Sequence, residues 1–272
     1  MTSVENHYSR EGLVAAIRAA LLAAGKDLDR LLPADLAPVD AFHIRGREAT
    51  QELASRAGLA PGLRVLDVGC GLGGSARYLA AEHGCRVTGV DLTKDYIEAA
   101  VELAALVGLG GKVEFRQASA LALPFADAAF DVVWTEHVQM NIADKSALYR
   151  ELARVLAPGG RLAFHDVFLG PAGEPWYPVP WAEEPAISFL APAPAVRALL
   201  EETGFRVRIW EDTSARSLQW FLAAAEKAAR AGPPPLGIHL VLGRTAKAKF
   251  ANLVRNLQEE RIAVVQCVAA KN

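Results

Sequence analysis

The chain has 272 residues, 52% of them hydrophobic and 22% charged, which is enough apolar side chain for a buried core and too apolar for disorder. Its 29 Lys and Arg against 31 Asp and Glu leave a formal net charge of −2 with no block of like charge, which argues against nucleic acid as the main partner. No stretch approaches the roughly 18 uninterrupted apolar residues of a membrane span, the polar start Met1 to His7 lacks a signal core, and Cys70, Cys85 and Cys267 have no metal-ligand spacing and suit a reducing, cytoplasmic compartment.

At about 150 residues per domain, this length fits one large domain or two small ones. Residues 1–60 read as a helical cap. Leu13, Ile17, Ala20, Leu21 and Ala24 recur at helical spacing up to Gly25, Pro33 to Asp40 reads as a loop, and a second helix runs from Arg45 to Arg56. Residues 61–272 read as the core. Within it, Arg64–Val68 is a short apolar strand stopped by glycines, Gly74–Glu82 a helix, Arg86–Val90 a strand and Lys94–Val107 a helix. Lys112–Arg116 alternates at period two, the mark of an edge-side strand. Strand Phe130–Trp134, helix Lys145–Leu156 and strand Arg161–Val167 follow, and this alternation predicts a parallel sheet with helices on both faces. After an irregular Pro- and Trp-rich segment come helix Ala195–Thr203, strand Phe205–Trp210, a helical stretch and a last strand, Arg261–Val268. Segments 169–194 and 214–258 read as cap insertions. Pro233-Pro-Pro235 is the one low-complexity tract.

The chemistry-bearing signal is Val65-Leu-Asp-Val-Gly-Cys-Gly-Leu-Gly-Gly74, between the first strand and a helix. Open parallel sheets bind ligands at the carboxyl ends of their strands, and glycines there let the backbone approach a ligand closely. Asp91 ends the second strand, where a carboxylate can accept both hydroxyls of a ribose. Gly69, Gly71 and Gly74 also fit the dinucleotide fingerprint, so the glycines alone leave a nicotinamide cofactor open. Three features favour an adenosine that carries an amino acid. A pyrophosphate gains nothing from Asp67 inside the first strand, whereas an ammonium is attracted to it. The chain ends in strand, long excursion and strand, not in a second mononucleotide-binding half. Arg154 to Leu162 makes a tight turn into the fifth strand.

On these residues the chain resembles the class I S-adenosylmethionine-dependent methyltransferases, over most of residues 40–270. Asp67-x-Gly69-x-Gly71-x-Gly73 matches the motif that contacts the methionine end of S-adenosylmethionine. Asp91, with Leu92 after it, matches the ribose-binding acid. Ser119-Ala120-Leu121, opening a segment that ends at Phe125, matches the adenine contact, although Asp is usual at position 119 and Ser119 accepts only weakly from the adenine amino group. Leu156 to Gly160 matches the turn before the fifth strand. The resemblance implies a Rossmann-like three-layer αβα sandwich, with a seven-stranded mostly parallel sheet, an antiparallel last strand and a helical cap. Val39 to Gly46 looks like the cap of small-molecule N-methyltransferases of the sarcosine/dimethylglycine and phosphoethanolamine types, which places Gly46 at the cofactor. The tocopherol and quinone types are more distant.

Methyl transfer from a sulfonium is an in-line displacement, so alignment and exclusion of water carry much of the rate. The segment Thr135 to Asn141 should face both cofactor and substrate. By resemblance, His137 stands where phosphoethanolamine-type enzymes have a cofactor-contacting Asp, and Asn141 where they have a catalytic His. An imidazole at 137 can serve as cofactor ligand or base, while Asn141 can orient a substrate but not take its proton. His7-Tyr8 matches a motif whose Tyr reaches back over the cofactor, making Tyr8 a candidate for lid and pocket. His43 and His165 fall in segments expected near the pocket, whereas His83 and His239 read as structural. Trp176, Trp181 and Trp220, with Tyr177, Phe189 and Phe221, either pack over the open end of the sheet or form a cation-binding wall. Glu183 and Glu184 beside them are cation partners or solvated charges. The favoured reading is methylation of a small-molecule amine by proximity. The alternatives are O- or C-methylation of an apolar or aromatic metabolite, with His137 or His165 as base, and a cofactor-binding sensor without turnover.

Overall fold

Seven strands form one sheet in the order β3-β2-β1-β4-β5-β7-β6. In chain order they are β1 (Arg64–Val68), β2 (Arg86–Asp91), β3 (Val113–Gln117), β4 (Phe130–Glu136), β5 (Leu156–Leu169), β6 (Phe205–Asp212) and β7 (Ile262–Lys271). The computed structural model describes residues 3–10, 12–232 and 234–272. Met1 and Thr2 of the polar start, and Pro233 of the proline tract, lie outside the described residues. β1 pairs in parallel with β2 on one side and β4 on the other, β2 with β3 and β4 with β5, whereas β7 runs antiparallel between β5 and β6. The chain therefore reverses direction across the sheet at β1 and β4, and the crevice beyond their carboxyl ends is where a ligand fits.

The central strands alternate between two apolar faces, as a period of two requires. Leu66, Val68, Val133, Phe164 and Val265 pack with α7 (Lys145–Val155) and α8 (Ala193–Glu202). Val65, Val87, Val132, Trp134 and Val268 pack with α4 (Gly46–Ala57) and α5 (Gly74–His83). The edge strands β3 and β6 carry exposed charges such as Glu114 and Arg206, which discourage further strand pairing. The seven strands, the antiparallel last strand and the helical layers are those implied by the resemblance.

Two further apolar clusters reach the loops at the carboxyl ends. One joins α2 (Leu13–Ala23), α3 (Pro33–Asp40), α6 (Lys94–Leu106) and α10 (His239–Leu242) through Ile17, Leu21, Leu36, Tyr96 and Val241, and it includes Leu72 of the glycine loop. The other joins α9 (Ser214–Ala231) and α11 (Ala246–Gln258) with Ile44, Met140, Trp181, Phe221 and Leu253. The expected loop at Pro33–Asp40 is thus a helix. Pro33 sits in its first turn, where no amide donor is needed, and the Leu32 amide donates to the Asp35 carboxylate at 2.8 Å. Among the described residues, segment 214–258 holds three α-helices, with a 3-10 turn at Gly243–Thr245 between the last two. Leu156 already pairs with Phe130, so the turn before the fifth strand is an irregular beginning of β5 itself. Among the described residues no helix is long and apolar enough to cross a membrane, and no cluster of His, Cys, Asp and Glu is arranged to hold a metal ion.

Candidate active site

The turn from β1 into α5 is tied to its neighbour by backbone: the amides of Gly69 and Cys70 both donate to the Val90 carbonyl, at 2.8 and 3.0 Å. Gly69 has φ +72°, and a Cβ there would overlap the Val138 side chain, so the site needs glycine for conformation and for space. Gly73 (φ +78°) likewise leaves room for the Phe115 ring but does not face the cavity described next. Asp91 accepts from the Gly71 amide at 3.0 Å and the Thr93 amide at 2.8 Å, one through each carboxylate oxygen. A carboxylate has acceptor capacity beyond these two bonds, which a ribose hydroxyl can use.

A cavity of about 520 Å³ opens over this turn. Asp67, Gly69, Gly71, Asp91, Leu92, Ser119, Ala120, Leu121, His137, Asn141, Tyr8 and His43 all line it. Asp67 is 2% exposed and its Oδ2 has no hydrogen-bond partner among the described residues. Burial first, then the charges of Glu136 and Asp91, push its carboxyl well above the usual range. An unsatisfied buried carboxylate oxygen at the end of β1 fits the ammonium of an amino acid, which would supply both a donor and a compensating charge. The residues present therefore fit S-adenosylmethionine: Asp67 for the amino group, Asp91 for the ribose and the 119–121 segment beside the base. Ser119 Oγ accepts from the Leu121 amide at 3.2 Å, so that hydroxyl supports its own turn. Tyr8 closes one side, donating to Asn141 Oδ1 at 2.8 Å. Asn141 Nδ2 in turn donates to the carbonyls of Trp181 and Ile187, each at 2.9 Å.

A second cavity of about 240 Å³ adjoins the first and shares Phe42, His43, His137, Pro180 and Trp181 with it. The remaining walls are largely apolar, with Ile44, Trp220, Phe221, Phe250 and Leu253 among them, and Arg45 and Arg47 add charge at one side. Gly46, expected at the cofactor, lines this second cavity instead, at the start of α4.

Three imidazoles meet where the cavities join. The ring centroids of His43, His137 and His165 lie 5.2 to 6.1 Å apart. His137 has φ +56°, a left-handed conformation that is costly outside glycine. Its amide donates to the His165 carbonyl at 2.9 Å, and the following amides of Val138 and Gln139 donate to Asp166 at 3.0 and 3.1 Å. Burial, with His165 and His43 adding to it, holds the His137 ring well below the usual imidazole range. His165 is fully buried behind His137 and lines neither cavity, with its pKa pushed down to about 3 mainly by burial. The expected place for His165 at the pocket mouth is therefore wrong.

Other expected groups are engaged elsewhere. Trp176 is 39% exposed, stacked under Arg255 and Arg261, and hydrogen-bonded to Glu259 at 2.7 Å, outside both cavities. Glu183 pairs with the buried ammonium of Lys249 at 2.6 Å. Trp181 and Trp220 do wall the second cavity. Sequence reasoning missed Glu136, a buried carboxylate at the last position of β4. Thr50 Oγ1, Ser75 Oγ and Trp134 Nε1 donate to it, and His43 Nε2 lies 3.3 Å away. Its place directly before His137 is a readable signal, since a charged residue ending a buried central strand seldom lacks a task.

A protein-family model described as a methyltransferase domain matches residues 66–164. The chain is 38% identical over 133 residues to methyltransferase GfsG of Streptomyces halstedii, covering 49% of this chain and 48% of that one. It is 36% identical over 171 residues to O-methyltransferase rstn1 of Aspergillus nomiae, covering 62% of this chain and 75% of that one. Among solved structures, phosphoethanolamine N-methyltransferase 2 of Haemonchus contortus with S-adenosyl-L-methionine superposes with a TM-score of 0.76 at 19% identity, over 100% of this chain and 60% of that one. That last likeness is one of fold.

Proposed function

The chain belongs to the class I S-adenosylmethionine-dependent methyltransferases, and from that premise we propose that it methylates a hydroxyl group on an apolar small molecule. S-Adenosylmethionine supplies an electrophilic methyl group on a sulfonium. The observation that carries the reading is the second cavity: Ile44, Phe42, Trp181, Trp220, Phe221 and Phe250 make an apolar chamber, and imidazoles form the partition between it and the cofactor cavity. Each 100 Å² of apolar acceptor surface removed from water there is worth about 2.5 kcal/mol. A hydroxyl needs a base within reach, and His43 and His137 both face the partition.

The amine reading finds less support. Among the described residues no carboxylate lines the second cavity, Glu183 is held by Lys249, and Trp176 already stacks with two arginines. The relative rstn1, named an O-methyltransferase, also favours oxygen.

The test is a turnover assay in a deproteinised cell extract, using cofactor with an isotopically labelled methyl group and following the label by mass spectrometry. The expected product carries the label on oxygen of an apolar molecule. With that acceptor, Trp220→Ala should raise KM about tenfold while cofactor Kd stays within about twofold. Label on nitrogen would return the amine reading to first place.

A further inference from the structure

We propose that His43, positioned by Glu136, is the catalytic base that takes the proton from the acceptor hydroxyl. The inference rests on the hydroxyl reading above and adds the residue that performs the deprotonation.

The geometry selects one imidazole of the three. His43 Nε2 lies 2.9 Å from the Gly46 carbonyl oxygen. Thr50 Oγ1 is also 2.9 Å from Nε2 and can accept there while its own proton goes to Glu136. Beside a carbonyl that only accepts, this favours the tautomer with the proton on Nε2 and the lone pair on Nδ1. Nδ1 has no hydrogen-bond partner among the described residues and is not among the sealed, unsatisfied atoms, while the residue faces both cavities. Behind Nε2 stands Glu136, with Oε1 at 3.3 Å and both side chains about 95% buried. Thr50, Ser75 and Trp134 fix that carboxylate in place. A buried carboxylate behind the protonated nitrogen holds the tautomer and compensates the charge that appears when the other nitrogen is protonated.

The two other rings lack this support. His165 spends Nε2 on the Ile44 carbonyl at 3.0 Å, and its Nδ1 is sealed from both cavities. His137 has no carboxylate partner among the described residues, and its Nε2 meets the Ile44 amide at 3.4 Å. In the step itself, the acceptor O–H bond breaks and its proton passes to His43 Nδ1. An oxygen lone pair forms the bond to the methyl carbon as the carbon–sulfur bond breaks, and that pair stays on sulfur. The uncharged thioether leaves, and His43 returns its proton to water.

Two phenols of different acidity test this in the full-length protein. At alkaline pH para-nitrophenol is already ionised and needs no base, whereas naphthol does. His43→Ala should lower the ratio of naphthol to nitrophenol methylation by about 100-fold, and Glu136→Gln should lower it by about tenfold. Histidine nitrogen NMR of the protein without cofactor gives a readout independent of turnover. His43 should show a proton on Nε2 and a free Nδ1, and Glu136→Gln should weaken that preference. A ratio unchanged in both variants, or a ring protonated on Nδ1, overturns the assignment while leaving O-methylation standing. If the wild-type protein binds the cofactor, methylates neither phenol and labels an amine from the extract, the hydroxyl reading itself falls and the base assignment with it. Should His43→Ala fail to fold, the Glu136→Gln ratio and the NMR tautomer decide alone.

Discussion

The two cavities that meet at His43 and His137 are built by different means. The cofactor side is made of backbone and strand ends: the Gly69 turn, Asp67 and Asp91 at the tips of β1 and β2, and the 119–121 turn. The acceptor side is made of side chains from elements far apart in sequence, with Phe42 and Ile44 before α4, Trp181 before α8, Trp220 in α9 and Phe250 in α11. One side is fixed by a short stretch of chain, the other by how distant helices happen to pack. A fold built this way can keep one cofactor and change its acceptor by altering the packing of its cap alone.

The sharpest way to break that comparison is to disturb the backbone-built side. In Gly69→Ala the new Cβ meets Val138 while the backbone stays at φ +72°. The expected cost to cofactor binding is about 3 kcal/mol, or about 100-fold in Kd. Calorimetric titration of S-adenosylmethionine measures it. Adding Val138→Ala should recover about tenfold, because the overlap is relieved while the left-handed strain remains. No recovery would mean that Val138 is not what the glycine makes room for.

A pH-dependent effect of similar size belongs to the wall that both cavities share. Asp166 lines neither cavity, yet it accepts the amides of Val138, Gln139 and Val167 and so holds the segment that carries His137 and Asn141. Burial raises its carboxyl from 3.8 to about 6, against the pull of those amides. The folded state therefore binds this proton more tightly than the unfolded chain. The resulting stability is full below about pH 4 and is lost as pH rises through about 6, amounting to about 3 kcal/mol. Asp166→Asn removes the titration, so its stability relative to the wild-type protein should improve by about that much between pH 4 and pH 7. Urea unfolding at the two pH values checks this, and an equal difference at both would dismiss Asp166 as the titrating group.

The same division explains what could be read in the chain beforehand. Asp67, Gly69, Gly71 and Asp91 were legible because their chemistry depends on positions along a few adjacent residues, and the structure brings them to one cavity. The parallel core and the antiparallel last strand followed from alternation and resemblance for a similar reason. His165 was misplaced because nothing local tells a strand end facing a cavity from one sealed behind another ring. The alternatives for Trp176 and Glu183 stayed open because their partners, Arg255, Arg261 and Lys249, come from α11 or just beyond it, a long way down the chain. Phe250 entered no sequence argument, since one aromatic in an amphipathic helix carries no sign of the cavity it walls. Pro33–Asp40 failed differently: two prolines and two acids suggest a loop, but Pro33 falls in the one turn of a helix that tolerates it.

The smallest expected effect concerns the strap that connects the two sides. Tyr8 donates to Asn141 Oδ1, and Asn141 Nδ2 carries the link on to the carbonyls of Trp181 and Ile187. Asn141, read by resemblance as a position where relatives keep a histidine, here spends its amide on joining helix α1 (Ser3–Tyr8) to the 181–187 segment. Tyr8→Phe removes one buried hydrogen bond and leaves the ring against Phe42 and Tyr96. The expected cost is about 1 kcal/mol, and because the strap faces the cofactor cavity it should appear as about a fivefold weaker cofactor Kd. If the strap is a common wall, acceptor KM should rise along with it, since Asn141 loses its anchor on Tyr8 and holds Trp181 less firmly. A change in cofactor affinity with acceptor KM unmoved would instead confine Tyr8 to the backbone-built side, and the two cavities would then be coupled only through the imidazoles between them.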